Sequence, residues 1–235
     1  MKKKALVLTS LLSAFLFGNI NIKAQDSLQV SVGADLVSKY VWRGVDLGYG
    51  VSVMPNMSLS YKGLTLSADA TASVAQYELN EIDLSLSYEI GNFTVGVTDY
   101  YSADSDSASY GHYTTDHNIE FNLSYFISDD FPLTLNWNTM FTAGKNDEYN
   151  DEGKRMYSSY FNVAYDFDVH GITLTPAIGI TPWESQYYEK FGVLDITLMA
   201  NKEIKITDNY SLPIYAQAIV SPALDKVYLV FGLSF

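Results

Sequence analysis

The chain has 235 residues, 48% hydrophobic and 14% aromatic, with 27 acidic against 14 basic residues, a net charge of −13 and no cysteine. Such an acidic surplus disfavours nucleic acid as a partner, because phosphate binding needs clustered Lys and Arg. The lack of cysteine excludes a disulfide framework, a thiol nucleophile and a cysteine metal site.

The first element is a leader. Met1-Lys2-Lys3-Lys4 is a charged start, residues 5–17 are an apolar run, and Ile22-Lys23-Ala24 before Gln25 is an acceptable cleavage site. Residues 1–24 are therefore expected to be a cleaved secretory signal peptide, leaving 25–235 as one domain. The run is shorter than the ~20 residues of a membrane-spanning helix. Cleavage removes four lysines and no acid, so 10 basic residues face 27 acidic ones and the net charge becomes −17.

From Leu28 onward the apolar residues alternate. Leu28, Val30, Val32, Ala34, Leu36, Tyr40 and Trp42 fall on one side of a period-two strand, and Gln29, Ser31, Asp35, Lys39 and Arg43 on the other. This predicts a first strand over 28–43. The pattern returns over 51–61, 64–74, 82–90, 93–101 and 118–127, and again over 133–142, 156–167, 172–181, 193–206, 211–220 and 227–235. The last of these reads V-Y-L-V-F-G-L-S-F, with Val227, Leu229, Phe231, Leu233 and Phe235 on one face. Twelve such strands, apolar on one face and mixed on the other, predict an all-β fold: a transmembrane antiparallel up-and-down β-barrel, for which an even strand count is required.

The connections alternate in length. Lys62-Gly63, Gly91-Asn92, 128–132, 168–171 and 207–209 are short and rich in Gly, Asn and Asp, residues that tolerate hairpin backbone angles. Between them lie longer loops at 44–50, 75–81, 102–117, 143–155, 182–192 and 221–226. Short turns at one rim and long loops at the other are the outer-membrane arrangement, so the expected location is the outer membrane of a Gram-negative bacterium. Outer-membrane lipid, lipopolysaccharide and the outer-membrane assembly machinery are then the expected partners, with small polar solutes as cargo.

Two aromatic girdles emerge from this threading. Tyr61, Tyr88, Phe93, Tyr125, Tyr165, Phe231 and Phe235 belong to the lower rim, the terminal Phe also serving as assembly signal. Tyr40, Trp42, Tyr101, Phe141, Tyr157 and Trp183 belong to the upper rim. Asp99 breaks the apolar face of the fifth strand, and Pro55 and Pro176 interrupt the second and ninth, so register slips are expected there.

The stretch Leu36-Val37-Ser38-Lys39-Tyr40-Val41-Trp42-Arg43-Gly44, followed by Val45-Asp46-Leu47-Gly48, resembles the opening motif of a bacterial outer-membrane β-barrel family of conserved hypothetical proteins and candidate porins of unknown function. The C-terminal strand resembles it too. The resemblance implies fold and compartment and brings no substrate or catalytic residue. Lys39 stands where many relatives are expected to carry Arg, which keeps the charge and loses the planar fork.

The lumen-facing charges are expected to be Asp35, Lys39, Arg43, Lys62, Asp69, Asp83, Glu89, Glu120, Asp166, Asp195, Glu203 and Lys205, eight acidic and four basic. Of these, Asp35, Lys39, Arg43, Asp69, Asp83, Glu120 and Asp195 are the candidates for a constriction. Either they pair across strands and wet the interior, or they line a narrow channel favouring cations or neutral polar solutes. Twelve strands lie between the filled eight-stranded barrel and the open porins. Arg43 is expected to pair with Asp46 or a carboxylate on a neighbouring strand, as a clamp on the first loop or as a selecting residue. A barrel plugged by its own side chains, acting through its loops, is the alternative.

Catalysis has little to rest on. His112 and His117 fall in a long loop and His170 in a short turn; Ser102 and His117 are the nearest to a nucleophile and base for a membrane lipid hydrolase. No phosphate loop, zinc spacing or dinucleotide fingerprint is present, so no cofactor and no metal are expected. The acidic loops, with Asp104, Asp106, Asp116, Asp147, Glu148, Asp151 and Glu152, lack the ligand order of a calcium loop and read as solvated.

Overall fold

The computed structural model describes residues 27–76, 78–103, 109–142 and 149–235. The expected signal peptide and the loop acids Asp104, Asp106, Asp147 and Glu148 lie outside the described residues.

Twelve strands run antiparallel in chain order around a closed barrel. They are β1 (Gln29–Val37), β2 (Ser52–Tyr61), β3 (Leu64–Ser73), β4 (Glu78–Ile90), β5 (Phe93–Ser102) and β6 (His117–Phe126). The circuit continues with β7 (Leu133–Thr142), β8 (Ser159–Tyr165, resumed as Phe167–Val169 after a break at Asp166) and β9 (Ile172–Thr181). It ends with β10 (Gly192–Lys205), β11 (Ser211–Ser221) and β12 (Lys226–Ser234). Each strand pairs with its sequence neighbours, and β12 returns to β1.

Alternation decides which face is which. Val53, Met57 and Leu59 on β2, Leu64 and Leu66 on β3, and Val227, Leu229 and Phe231 on β12 are exposed, while the residues between them turn inward. An apolar exterior with a polar-lined interior suits a barrel standing in lipid, where every backbone group must be bonded within the sheet. The protein is a transmembrane β-barrel of the outer-membrane type. Among the described residues no helix is long and apolar enough to cross a membrane.

The register differs from expectation in instructive places. Ala34 pairs with Pro55, Asp99 with Ile119 and Pro176 with Leu198, all in step with their neighbours. The shifts fall instead at Thr71/Ala72, Ile119/Glu120 and Gly179/Ile180. All three lie at the long-loop rim, where bulges end or re-aim a ladder. Leu194, expected on the lipid face, lies where the β9–β10 register shifts and is fully buried against Tyr160 and Tyr187.

The closing seam is short. Only Asp35, Leu36 and Val37 pair with Ser234, Leu233 and Gly232, extended by bonds between Ala34 and Phe235 and between Ser38 and Phe231. The predicted first strand, 28–43, therefore ends six residues early. Ser38 donates its N–H to the Phe231 carbonyl at 2.8 Å and accepts the Phe231 N–H on its Oγ at 2.9 Å. Beyond it the chain leaves the wall and turns into the lumen.

Candidate functional site

The inserted segment is a miniature hairpin. Val41 pairs with Asp46 and Trp42 with Val45, leaving Arg43 and Gly44 as a two-residue turn. Both have positive φ, 50° and 78°, as a primed hairpin turn requires. Gly44 is needed twice over: a Cβ there would lie 2.2 Å from the Leu194 carbonyl oxygen of β10. Lys39 closes the base on Asp46 at 2.5 Å. Partial burial works to raise the Asp46 carboxyl, but the Lys39 ammonium and the Gly48 N–H outweigh it and hold it below the usual carboxylate range.

The hairpin rests on one side of the lumen. Val41 joins Val37, Met199, Tyr215, Ile219 and Val230 in a buried apolar cluster, and Trp42 packs against Tyr160, Tyr187 and Leu194. Tyr215 itself occupies the space left by Gly232, where a Cβ would meet its ring at 1.9 Å. The chain then crosses back over the lumen, and Ser73 on β3 donates to the Tyr49 carbonyl at 2.7 Å. Residues 38–50 thus span the barrel interior.

At the hairpin tip, Arg43 reaches β6. Its Nη1 and Nη2 donate to Oε1 and Oε2 of Glu120 at 2.7 and 2.8 Å, a two-bond fork, and Nη1 also donates to Tyr187 Oη. The guanidinium stands over Trp42, Tyr160 and Tyr187 at 4.4, 4.8 and 5.2 Å from the ring centroids. Glu120 accepts further bonds from Tyr100 Oη at 2.9 Å and Asn122 Nδ2 at 3.0 Å. Both charged side chains are wholly buried, a situation tolerated only when the pair is closely bonded; the guanidinium Nε has no hydrogen-bond partner among the described residues.

The expected lumen residues divide by position. Arg43, Glu120 and Asp195 come together around the tip, Asp195 through Tyr160 Oη at 2.9 Å. Asp35 takes a bond from Ser234 at the seam. Asp69 and Asp83 face each other directly across β3 and β4, outside the fork's own hydrogen bonds. Lys39 serves the hairpin base, so Arg43 pairs neither with Asp46 nor with a neighbouring strand but across the lumen. Beneath the tip, Trp42, Arg43, Tyr160, Asn162, Asp195 and Gln217 border a cavity of about 60 Å³.

The aromatic residues also divide. Tyr61, Tyr88, Phe93, Phe231 and Phe235 are exposed outside the barrel, with Tyr125 against Phe93 at 4.5 Å and Tyr165 against Phe131 at 5.3 Å. Phe141, Tyr157 and Trp183 are exposed towards the other rim. Tyr40 and Trp42 are not on the upper girdle. Tyr40 is buried beside Tyr49, and Trp42 lies inside against Tyr100 and Tyr187, because the wall ends at Val37.

Tyr101 belongs to a cluster that sequence reasoning missed. His117 is fully buried, with Nδ1 2.7 Å from Asp99 Oδ1 and Nε2 2.8 Å from the Tyr110 carbonyl. Tyr113 stacks on it at 4.0 Å, and Tyr101 and Tyr110 pack at 4.9 and 5.0 Å. Asp99 therefore sits on the outer face without meeting lipid as a bare charge. The signal was available: the outward phase of Asp99 near the rim calls for a partner, and His117 follows on the next strand. Both ring nitrogens are taken, so neither faces Ser102.

Residues 14–147 match the protein family described as "Putative MetA-pathway of phenol degradation". That stretch is more than half of the chain and contains the inserted hairpin and Glu120. The chain belongs to this family. No curated protein sequence matches it. Among solved structures, the NanC porin is similar at 10% identity and a TM-score of 0.52, over 87% of this chain and 98% of the porin. The KdgM porin is similar at 11% identity and a TM-score of 0.49, over 88% and 98%, and an outer membrane channel from Pseudomonas putida F1 at 14% and 0.43, over 92% and 98%. The NanC likeness agrees in fold with the twelve-stranded barrel of this family member.

Proposed function

We propose that the barrel is a narrow outer-membrane channel for small polar or cationic solutes, constricted by its first loop at Arg43. The observation that carries this reading is the Arg43–Glu120 fork across the lumen: it holds the first loop inside a barrel whose other inward-facing residues are mainly carboxylates, hydroxyls and amides. An acidic lining concentrates cations. The family description points to phenol chemistry, but the cavity beneath Arg43, at about 60 Å³, is well under the ~150 Å³ that accommodates benzene. A few waters or a small ion stripped of most of its shell fit it better. The chain is read as non-enzymatic.

A second reading has its own support. Residues 38–50 fill the interior so thoroughly that the barrel suits a plugged, surface-binding role exercised through its long loops. Planar bilayers decide between the two. Discrete conductance steps with cation preference support the channel; silence of both the wild type and R43A would sink it.

A further inference from the structure

The lumen wall from β2 to β6 carries a row of polar residues that the fork only partly uses. Asn56 pairs in register with Asp69, Asp69 with Asp83, and Asp83 with Tyr100, whose hydroxyl bonds Glu120. Along this row stand three carboxylates and one cation, Arg43, which is committed to Glu120. Asp69 and Asp83 are left facing each other with no ion pair among the described residues. Residues directly opposite on antiparallel strands have Cβ atoms about 4.5–5.5 Å apart, close enough for two carboxylates to repel strongly. Asp83 is 93% buried, its Oδ1 has no hydrogen-bond partner, and the side chain points inward between the outward Ile82 and Leu84. A buried unbonded carboxylate oxygen costs several kcal/mol unless something neutralises it.

We propose that Asp69 and Asp83 form a binding site for a small monovalent cation, an alkali metal ion or ammonium. No group of three or more His, Asp or Glu among the described residues converges to hold a metal ion, and two carboxylates fall short of the six to eight oxygens a calcium site needs. A singly charged ion binds its ligands more weakly than calcium, can complete its shell with water and leaves easily, as passage requires. The site rests on the channel reading for its purpose but not for its existence.

The test is therefore crystallographic first. Crystals of the full barrel grown in rubidium chloride are expected to carry an anomalous peak between Asp69 and Asp83, lost in D83N. Absence of the peak in the wild type, or its persistence in D69N/D83N, overturns the site. So does an infrared band of a protonated carboxylic acid at neutral pH in rubidium that disappears in D83N, because the pair would then share a proton instead. In bilayers under a salt gradient, D69N/D83N is expected to shift the reversal potential towards zero. A rubidium peak in a silent barrel would remove the channel and leave the site standing.

Discussion

Arg43 and Glu120 lie 77 positions apart and meet inside the barrel in a two-bond fork, with neither side chain reachable by water. The first loop is thereby tied to the wall it does not grow from. Removing one partner strands the other as a buried charge, which typically costs about 3–5 kcal/mol. R43A is expected to destabilise the barrel by roughly that amount in urea titrations and to raise single-channel conductance. R43K keeps the charge and loses the fork, so it should fall between. E120Q should resemble R43A in conductance, because the loop loses the same tether; a conductance equal to wild type in both variants would mean that the loop does not set the constriction.

Gly44 faces a stricter limit than Arg43. A methyl group at this position would sit 2.2 Å from a backbone oxygen, and the φ of 78° is already costly for any other residue. G44A is expected to expel the hairpin without unfolding the sheet. Trp42 would then leave its packing against Tyr100 and Tyr187, and its fluorescence should shift to the red, while the far-ultraviolet strand signal stays.

The barrel was legible in the sequence and the inserted hairpin was not, for one physical reason. Period two reports which side of a strand a residue takes, and it reported twelve strands with nearly correct ends. Tyr40 and Trp42 resume the apolar phase of β1 after a single polar residue, Ser38, so alternation carries the strand on to Arg43. What ends it is local: Arg43-Gly44 between two alternating pairs is a hairpin turn, and Gly48 and Gly50, with φ of 79° and 66°, follow within six residues. Glu120 could be placed in the lumen by its phase, but no periodicity links it to a residue 77 positions earlier. The bulges at Thr71 and Ile119 were equally silent, whereas Gly179, a glycine inside a strand, carried a signal for the third.

The hairpin base responds to acid. Asp46 has its carboxyl held below the usual range, so the Lys39–Asp46 contact is intact above the unfolded carboxylate value, about 3.9, and is lost only as pH falls through the lower folded value. Neutral and mildly acidic solutions should leave the loop in place. Comparing the wild type with D46N by Trp42 fluorescence from pH 6 to pH 2 isolates this group from the other carboxylates; identical profiles would rule out its contribution.

His117 and Asp99 govern the third long loop. The buried imidazole bridges Asp99 to the Tyr110 carbonyl, and the Thr115 and Asp116 amides bond the His112 carbonyl in the turn that precedes it. Losing such buried bonds costs about 1–3 kcal/mol, or roughly tenfold in local opening for each 1.4 kcal/mol. H117A is expected to speed hydrogen exchange at Thr115 and Asp116 at least tenfold, with exchange in β9 to β11 unchanged. Equal exchange in wild type and variant would remove the cluster as the anchor of this loop.

Closure of the barrel rests on the shortest ladder in the sheet. Leu36 and Leu233 are directly opposite across the β1–β12 seam, whereas Val30, lower on β1, has no partner on β12 because that strand ends beside Ala34. Opposed residues on antiparallel strands have Cα atoms about 4.5–5.5 Å apart, inside the span of a disulfide. The chain has no cysteine of its own, so an engineered pair reports cleanly. L36C/L233C is expected to cross-link on mild oxidation and change gel mobility, while V30C/F235C, about four residues out of step and hence ~13 Å apart along the strand, should not. Cross-linking in the second pair instead of the first would mean a seam slid down by four residues, and Ser38 could no longer bond Phe231 and release the chain into the lumen at that point. The depth of the inserted hairpin, and with it the reach of Arg43 to Glu120, is set by where that seam ends.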